Sequence, residues 1–512
     1  MIRIPIIFFL FFFSLLLRLS LISQGPFSGD CLSLVIQAQE TLNTKQLHFL
    51  FGPGYPLVVL AGAFFIWVGK LFSMEDPVLA VNMMSVVAGS VCVSLYYFVA
   101  RLMFNEITAL TGTFLFSICP IFLGISVYGN PHTVCLSFLL LGIFFLALFG
   151  KTGKKRYLIC SSLAIGFMGA ARIQDMVLMV IPVSVFYYSL SQNQGHNQSP
   201  KPSGRLYALN AVCRFFLFWG GAVFVAIGFH LAFLVGGISG SYFDQFHSFF
   251  KSGLTDNFRG IISPSLWNSL GIFILNISPV GFALSLFGLW LLSKRDRWIL
   301  GFILLWIFIP LLFYGNLYMT TPRMLVLAML PLFMLQGYGF SHLIKVNRLF
   351  HGTSLVVLAL MIYFSLSSVY PFLLFRHHYA LWPHWAQWLD KKTPPEAQII
   401  TGDEGIFIGY YAKRALLSRP IGRVSLKENE LAAFKDTLEQ MLKMNVPVYI
   451  TEIGLAVYDP QGQFARLMKE NYDLIWIGEN IAEDWHLDAT TQRIERVSLF
   501  QIAPKKGRRN DF

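Results

Sequence analysis

The chain has 512 residues, of which 55% are hydrophobic and only 13% are charged, and its formal net charge at pH 7 is +12. A soluble protein of this length carries about twice that charged fraction, so the composition excludes a wholly soluble protein. The basic residues lie in short stretches between apolar runs. This pattern is typical of loops that set the orientation of membrane helices, and it argues against a nucleic-acid-binding groove. The sequence therefore predicts a polytopic α-helical membrane protein.

The first apolar run, near residues 4–22, is predicted to be a retained membrane anchor and not a cleaved signal peptide. The run is long, Arg18 interrupts it, and no small-residue cleavage site follows it. We expect Arg18 either to reach toward the outer interface or to face the interior of the helix bundle. The polar stretch "SQGPFSGDCLSL" follows, and its single carboxylate is Asp30.

Eleven further apolar runs follow, and the basic residues between the runs predict the topology. The runs lie near 55–72, 78–100, 108–125, 132–150, 157–171, 175–190, 211–236, 268–292, 298–315, 324–341 and 353–371. If all basic groups lie inside, an even number of crossings must separate neighbouring groups. The first interval holds three runs, which is an odd number. The run 55–72 opens with "FGPGYPL", which has two prolines and two glycines, so we expect it to lie along the outer surface or to dip into it. About eleven transmembrane helices result, with Asp30 and the C-terminus outside.

The composition changes near residue 376, where the alternation of a soluble protein begins. The segments "AQIIT", "VPVYITE", "YDLIWIGE" and "RVSLFQIA" are typical of strands, and "KENELAAFKDTLEQMLKMN" is typical of an amphipathic helix. We therefore expect a transmembrane domain over 1–375, with its first outer loop at 23–77, and a small extracytoplasmic α/β domain over 376–512. The latter has no phosphate-binding loop, which favours a packing or acceptor-contacting role.

Several of these segments resemble a known superfamily. "LLLRLSLISQGPFSGDCLSLVIQAQ" resembles the first helix and first outer loop of the GT-C glycosyltransferases, in which an acidic residue opens a surface helix. "FGPGYPLVVLAGAFFIWVGKLF" is similar to their segment along the outer membrane surface, and "PRMLVLAMLPLFML" to an Arg-containing helix start late in their membrane domain. The resemblance covers roughly residues 1–375 and is nearest to protein O-mannosyltransferases and aminoarabinose transferases of lipid A.

The resemblance implies an integral membrane glycosyltransferase that moves a hexosyl or pentosyl group from a polyprenyl-phosphate donor to an acceptor outside the membrane. Such a transfer needs a base for the acceptor's proton and fixed cations for the leaving phosphate. Asp30 is the expected general base. The expected substrate-binding residues are Arg323, Arg172, Tyr55, His48, Asn130, Lys251 and Arg259.

The expected partners are the polyprenyl-phosphate sugar donor, a protein, lipid or glycan acceptor, and membrane lipids, without nucleic acid. The expected location is a bacterial-type inner (plasma) membrane. No cofactor and no metal site are predicted, because His48 and His132 lack ligand spacing. A divalent metal stays open, although Cys31 follows Asp30 where many relatives have Glu and Asn130 stands where several carry an acid.

Each assignment has a structural alternative. Asp30 is also suited to capping the helix that begins at Cys31, and Arg172 and Asp175 are spaced to pair on one helix face. Arg323 is also suited to anchoring a membrane interface, and loop lysines and arginines are usually solvated. Two other functions stay open, namely a flippase or transporter of lipid-linked sugars and a non-catalytic subunit of a glycan assembly complex.

Overall fold

The computed structural model describes most of the chain, and these residues form two compact units. The described residues are 4–48, 54–196, 204–235, 247, 251, 260, 262–317, 321–346, 349–402, 404–421, 425–457, 459–483 and 494–505. Unit 1 comprises Met1–Ser23, Leu34–His377 and Asp488–Thr490, and unit 2 comprises Gln24–Ser33, His378–Leu487 and Thr491–Phe512. Each unit is described by itself below.

The part of the chain up to residue 378 is helical wherever regular structure is described. Its helices are α1 (Ile4–Leu19), α2 (Gly29–Thr44), α3 (Pro56–Leu71), α4 (Pro77–Met103), α5 (Glu106–Ser117), α6 (Pro120–Ile125), α7 (Pro131–Thr152), α8 (Lys155–Ala171), α9 (Ile173–His196), α10 (Gly204–Val235), α11 (Pro264–Ile277), α12 (Pro279–Ser293), α13 (Arg297–Gly315), α14 (Pro322–Val346) and α15 (Leu349–His378).

Seven of the described helices, α4, α7, α9, α10, α13, α14 and α15, are long and apolar enough to cross a membrane, and the bent pair α11–α12 makes an eighth if it counts as one span. The predicted class, a polytopic α-helical membrane protein, is therefore confirmed, whereas the count of eleven spans stays a prediction. Helix α3 has 16 residues, and at 1.5 Å per residue it is about 24 Å long, less than the ~30 Å of a hydrocarbon core. The surface position of 55–72 also stays a prediction.

Two predicted single runs, 108–125 and 268–292, are each divided into two helices. In the second run α11 and α12 meet at an angle of 94°, and the Ser278 side chain caps α12 by accepting a hydrogen bond from the Gly281 N–H at 3.0 Å. In both runs the later helix starts with a proline. Proline suits the first helical position because its missing N–H would have no intrahelical partner there.

Helix α14 makes unusually close backbone contacts on two sides. A Cβ added to Gly337 would lie 2.3 Å from the Thr108 carbonyl oxygen of α5. A Cβ added to Gly288 of α12 would lie 2.1 Å from the Leu335 carbonyl oxygen of α14. Because glycine lets helix backbones approach this closely, α14 packs tightly between α5 and α12. Almost all of its length is buried.

Arg18 of α1 faces the interior of the bundle, which decides between the two positions expected for it. Its side chain is fully buried, and its guanidinium donates hydrogen bonds to Ser14 Oγ at 2.6 Å and to the Ser117 carbonyl oxygen at 3.2 Å. The guanidinium carbon also lies 4.9 Å from the centre of the Phe122 ring. Arg18 thus satisfies a carbonyl that has no intrahelical partner at the end of α5.

Unit 2 contains a mixed five-stranded sheet in the order β2-β1-β3-β5-β4. Its strands are β1 (Gln398–Ile400), β2 (Ala415–Leu417), β3 (Val448–Thr451), β4 (Tyr472–Glu483) and β5 (Ile494–Pro504), and its helices include α16 (Leu381–Lys392), α17 (Gly405–Phe407), α18 (Glu428–Lys443), α19 (Glu452–Ala456) and α20 (Gln463–Asn471). Strand β1 runs parallel to β2 and β3, whereas β5 is antiparallel to β3 and β4. The four strands and the helix α18 predicted from the sequence are confirmed.

Apolar side chains of α18 and α20 form the core of this unit against the sheet. Phe434, Leu438, Phe464 and Met468 are buried there together with Ile450 of β3. This burial explains the hydrophobic periodicity of "LAAFKDTLEQML", in which the apolar positions recur every three or four residues. At the edge of the same core, burial and then the nearby Glu439 and Asp436 raise the pKa of Tyr472 to about 12, so its phenol is neutral at physiological pH.

Candidate functional site

A group of polar and charged side chains is buried within the helices of unit 1. This group, called the buried polar cluster below, consists of Tyr55, His132, Cys135, Arg172, Gln174, Asp175 and Tyr314. Arg172 is only 3% exposed and Asp175 only 2% exposed. Ionisable side chains among membrane helices are costly to bury, and such residues usually have a functional role. The cluster is therefore the candidate functional site of unit 1.

The centre of the cluster is an ion pair at the junction of α8 and α9. Arg172 ends α8 with extended backbone, and its N–H donates to the Met168 carbonyl oxygen at 2.7 Å. Asp175 lies in the first turn of α9, which begins directly after Arg172. Arg172 Nη1 lies 3.2 Å from Asp175 Oδ2. The pairing expected from their spacing is thus present.

Asp175 is also the acceptor for two side chains from other helices. The Tyr314 hydroxyl, near the end of α13, donates to Asp175 Oδ1. The Cys135 thiol of α7 donates to Asp175 Oδ2 at 3.4 Å. These hydrogen bonds and the ion pair supply the partners that a buried carboxylate requires.

His132 lies on the other side of Arg172, at the start of α7. Arg172 Nη1 donates to His132 Nδ1, and since a guanidinium can only donate, this contact assigns the ring proton to Nε2 in a neutral imidazole. Arg323, in the first turn of α14, is close enough for its charge to act on the same ring. The ring therefore contacts the Arg172 guanidinium through Nδ1 and keeps Nε2–H as a hydrogen-bond donor.

Asn130 fixes the backbone that carries His132. Its Oδ1 accepts a hydrogen bond from the His132 N–H at 2.9 Å, which makes Asn130 the N-cap of α7. Its Nδ2 donates to the Tyr128 carbonyl oxygen at 2.7 Å and to that of Ile125. Asn130 is thus committed to shaping the chain before α7.

Tyr55 joins the cluster through a strained backbone conformation. It has φ 51° and ψ 54°, in the left-handed region, directly before Pro56. A bulky residue there costs about 1–3 kcal/mol and persists only where surrounding contacts hold it. The Tyr55 hydroxyl accepts a hydrogen bond from Gln174 Nε2 at 2.8 Å. The centres of the Tyr55 and Tyr314 rings each lie 6.0 Å from the Arg172 guanidinium carbon.

Three other predicted substrate-binding residues with described positions, His48, Lys251 and Arg323, are not members of the cluster. His48 follows α2, where its ring contacts Glu40 at 3.3 Å and Thr44 Oγ1 at 3.0 Å. Lys251 is exposed, and Arg259 lies outside the described residues. Arg323 donates from Nε to Thr321 Oγ1 at 3.3 Å, which orients its side chain at the start of α14.

Asp30, the predicted base, lies in the first turn of α2 and belongs to unit 2. It is partly exposed. The residue before the helix is Ser28, whose Oγ accepts a hydrogen bond from the Cys31 N–H at 3.4 Å. This is the contact of an N-cap residue with the third residue of its helix. Ser28 therefore takes the capping position that was the alternative role for Asp30.

Neither the cluster nor the described remainder of the chain brings together three His, Cys, Asp or Glu side chains in an arrangement that would hold a metal ion. The cluster instead offers one guanidinium, one imidazole and two tyrosine hydroxyl groups. Such a set is suited to an anion and to hydrogen-bonding hydroxyls of a ligand.

Comparison with known proteins shows that this chain is similar to membrane glycosyltransferases of one fold. Residues 57–219 match the model of the dolichyl-phosphate-mannose-protein mannosyltransferase family. No curated protein sequence matches the chain. The GT-C resemblance predicted from the sequence is confirmed by this family match and by the solved structures below.

Three solved structures illustrate the likeness. ArnT from Cupriavidus metallidurans in the apo state is 12% identical, with TM-score 0.56, over 97% of this chain and 98% of that one. The archaeal oligosaccharyltransferase AglB from Archaeoglobus fulgidus, in complex with an inhibitory peptide and a dolichol-phosphate, is 13% identical, with TM-score 0.53, over 96% and 74%. The arabinofuranosyltransferase AftD from Mycobacteria is 11% identical, with TM-score 0.50, over 98% and 40%. At these identities the likeness establishes a shared fold.

Proposed function

We propose that this chain, which has the fold of the GT-C membrane glycosyltransferases, transfers a sugar from a polyprenyl-phosphate carrier to an acceptor. The observation that carries the proposal is the buried polar cluster, in which Arg172, paired with Asp175, contacts His132. The charge of Arg323 acts on the same ring from outside the cluster. The proposed side of transfer is the outer face of a bacterial-type plasma membrane. The family match and the dolichol-phosphate bound to AglB support a carrier of this chemical class.

The carrier phosphate is proposed to bind at Arg323. Arg172, which contacts the His132 ring, is paired with Asp175. Arg323 lies at the start of α14, and its charge acts on the same ring. The amino end of this 25-residue helix adds a favourable field for an anion. Nε2–H of His132 supplies a further donor. Tyr55 is proposed to hydrogen-bond or stack with the sugar.

Asp30 is proposed to act as the general base. The acceptor oxygen attacks the anomeric carbon, the bond from that carbon to the phosphate oxygen breaks, and the phosphate keeps the electron pair. The acceptor's proton passes to the Asp30 carboxylate. A positioned base of this kind contributes roughly 10²–10⁴-fold in rate. The partial exposure of Asp30 agrees with a group that an acceptor must reach.

The acceptor is proposed to contact unit 2, which would lie outside the membrane. A cleft of about 550 Å³ opens there between α19, α20 and strands β4 and β5. Its lining combines an apolar floor, including Leu474 and Phe500, with the charged side chains of Glu452, Lys469 and Asp473. Apolar surfaces with a few convergent charges are typical of ligand sites.

The proposed function is tested by comparing lipid-linked sugars and surface glycans in a deletion strain. Loss of a transferase should cause one carrier-linked sugar to accumulate and one glycan modification to disappear. Wild-type protein should restore both pools, whereas the Asp30→Asn variant should restore neither. Restoration by Asp30→Asn would favour a flippase or assembly subunit, and unchanged pools in the deletion strain would contradict the proposal.

Arg323→Ala should weaken binding of the lipid-linked donor roughly 10- to 100-fold, because a hydrogen bond to a charged group contributes about 1.5–3 kcal/mol. Arg323→Lys should restore only part of this affinity, since an ammonium group cannot bind two phosphate oxygens as a planar fork does. The measurement is donor binding to purified protein in detergent.

Arg297→Ala is the matched control for Arg323→Ala. Arg297 is also in the first turn of a spanning helix, α13, but its side chain is exposed. This variant should bind the donor like the wild-type protein. If Arg323→Ala also kept its donor affinity while remaining folded, Arg323 would be an interface anchor and not a phosphate ligand.

A further inference from the structure

One side chain, Asn82 of α4, ties together two segments that lead to proposed functional residues. Asn82 is fully buried. Its Nδ2 donates to the Ser23 carbonyl oxygen at 2.8 Å, and its Oδ1 accepts from the Gly129 N–H at 2.7 Å. The chain continues from Ser23 toward Asp30, and from Gly129 into the start of α7 with His132.

Two further hydrogen bonds hold the same segments in register. The Ser23 N–H donates to the Val127 carbonyl oxygen at 3.0 Å. The Asn130 N–H donates to Ser85 Oγ at 3.2 Å. Because Ser85 is three residues after Asn82, both side chains lie on one face of α4. This face of α4 therefore accepts hydrogen bonds from the consecutive backbone N–H groups of Gly129 and Asn130, just before α7. Asn82 also donates to the carbonyl oxygen of Ser23, which follows α1.

We infer that Asn82 is a positioning residue for sugar transfer, fixing Ser23, after which the chain leads to Asp30, against the segment that opens the helix carrying His132. The inference rests on the proposed function. A primary amide suits the position because it offers one acceptor and one donor in a single planar group. Misplacement of reacting groups by about 1 Å can cost ~10²-fold in rate.

The variant Asn82→Asp distinguishes a positioning role from a merely structural one, because only the positioning role predicts a kcat that recovers at low pH. The ionised carboxylate of this variant would still accept from the Gly129 N–H, but it would oppose the Ser23 carbonyl oxygen. The protonated carboxyl group would donate to that oxygen and restore both contacts, and burial favours this neutral form. The ratio of variant to wild-type kcat should therefore rise at least ~10-fold between about pH 8 and about pH 5.5. Dividing by the wild-type rate removes the pH effects that the two proteins share.

Two other variants complete the comparison. Asn82→Leu has neither a donor nor an acceptor, so its kcat should stay low at every pH. Ser90→Ala is the matched control on α4, because buried Ser90 donates only within its own helix, to the Val86 carbonyl oxygen at 2.8 Å. Its kcat ratio should not depend on pH. Ser90→Ala should also keep the donor affinity of the wild-type protein.

A second measurement does not require turnover. Gln24 is exposed and directly follows Ser23, so the maleimide labelling rate of Gln24→Cys reports the position of the loop. We compare the labelling rate of the double variant Gln24→Cys/Asn82→Asp with that of Gln24→Cys alone. The ratio of these two rates should return toward unity as the pH falls. The labelling ratio could return toward unity even though the Gln24→Cys protein with Asn82 transfers no sugar. That result would support the positional role of Asn82 and contradict the proposed function. A pH-independent kcat ratio together with pH-independent labelling would overturn the inference.

Discussion

Replacement of Asp30 by Asn is expected to lower sugar transfer at least ~10²-fold, while donor binding and folding stay intact. Asn has nearly the same size as Asp but cannot accept the acceptor's proton. The N-cap contact of α2 belongs to Ser28, so the free energy of unfolding should change by only a few tenths of a kcal/mol. The measurement is single-turnover transfer from the lipid-linked sugar, together with thermal unfolding in detergent.

Ser28→Ala is the control that separates capping from catalysis. It removes the N-cap and should lower the free energy of unfolding by about 1 kcal/mol, while the folded variant still transfers sugar. Asp30→Glu should be weakly active, because its carboxylate extends one methylene further. Transfer by Asp30→Asn at the wild-type rate would refute the base role.

Asp175→Asn is expected to destabilise the protein by about 3–5 kcal/mol. The variant leaves the buried Arg172 guanidinium without the carboxylate that lies 3.2 Å from it. In Asp175 the two carboxylate oxygens accept hydrogen bonds from Tyr314 and Cys135. In Asn one of these oxygens is replaced by an NH2 group, which cannot accept, so one of the two hydrogen bonds is lost. Thermal and denaturant unfolding in detergent would measure the loss.

The double variant Arg172→Gln/Asp175→Asn distinguishes a structural pair from a functional one. Removing both charges avoids an isolated buried ion, so much of the lost stability should return, with the coupling given by a double-mutant cycle. Donor affinity should stay below the wild-type value although Arg323 is unchanged, because His132 loses the contact with Arg172 that orients its ring. A stable double variant with wild-type donor affinity would assign the pair to folding alone.

The sequence located most of the regular structure because hydrophobic periodicity is a local property. It missed β2, since Ala415–Leu417 is too short for an alternating pattern and is recognisable only by its pairing with β1. It also read 268–292 as one run, although Ser278 followed by Pro279 is a helix-start signal. The mean hydropathy of a long run conceals such a signal, whereas the local residue order reveals it.

The candidate site was predictable only where its members are close in sequence. The spacing of Arg172 and Asp175 predicted their contact. His132 is 40 residues from Arg172, and Tyr314 is 139 residues from Asp175, so both contacts depend on how α7 and α13 pack. The only sequence signal for His132 is its place after Asn-Pro, where a helix begins. For Tyr314 the sequence offers no comparable signal.

The glycine contacts of α14 bear on how such a protein changes shape. With Gly337 and Gly288 at the contact points, sliding or rotating α14 would drive side chains into the backbones of α5 and α12. This helix, with Arg323 at its amino end, is therefore a fixed axis of the bundle. Helices α10 and α15 have mostly exposed spans and are far less constrained. If the proposed transfer takes place, rearrangements that admit and release the lipid carrier would occur around a stationary Arg323, the proposed phosphate ligand, by displacement of the outer helices.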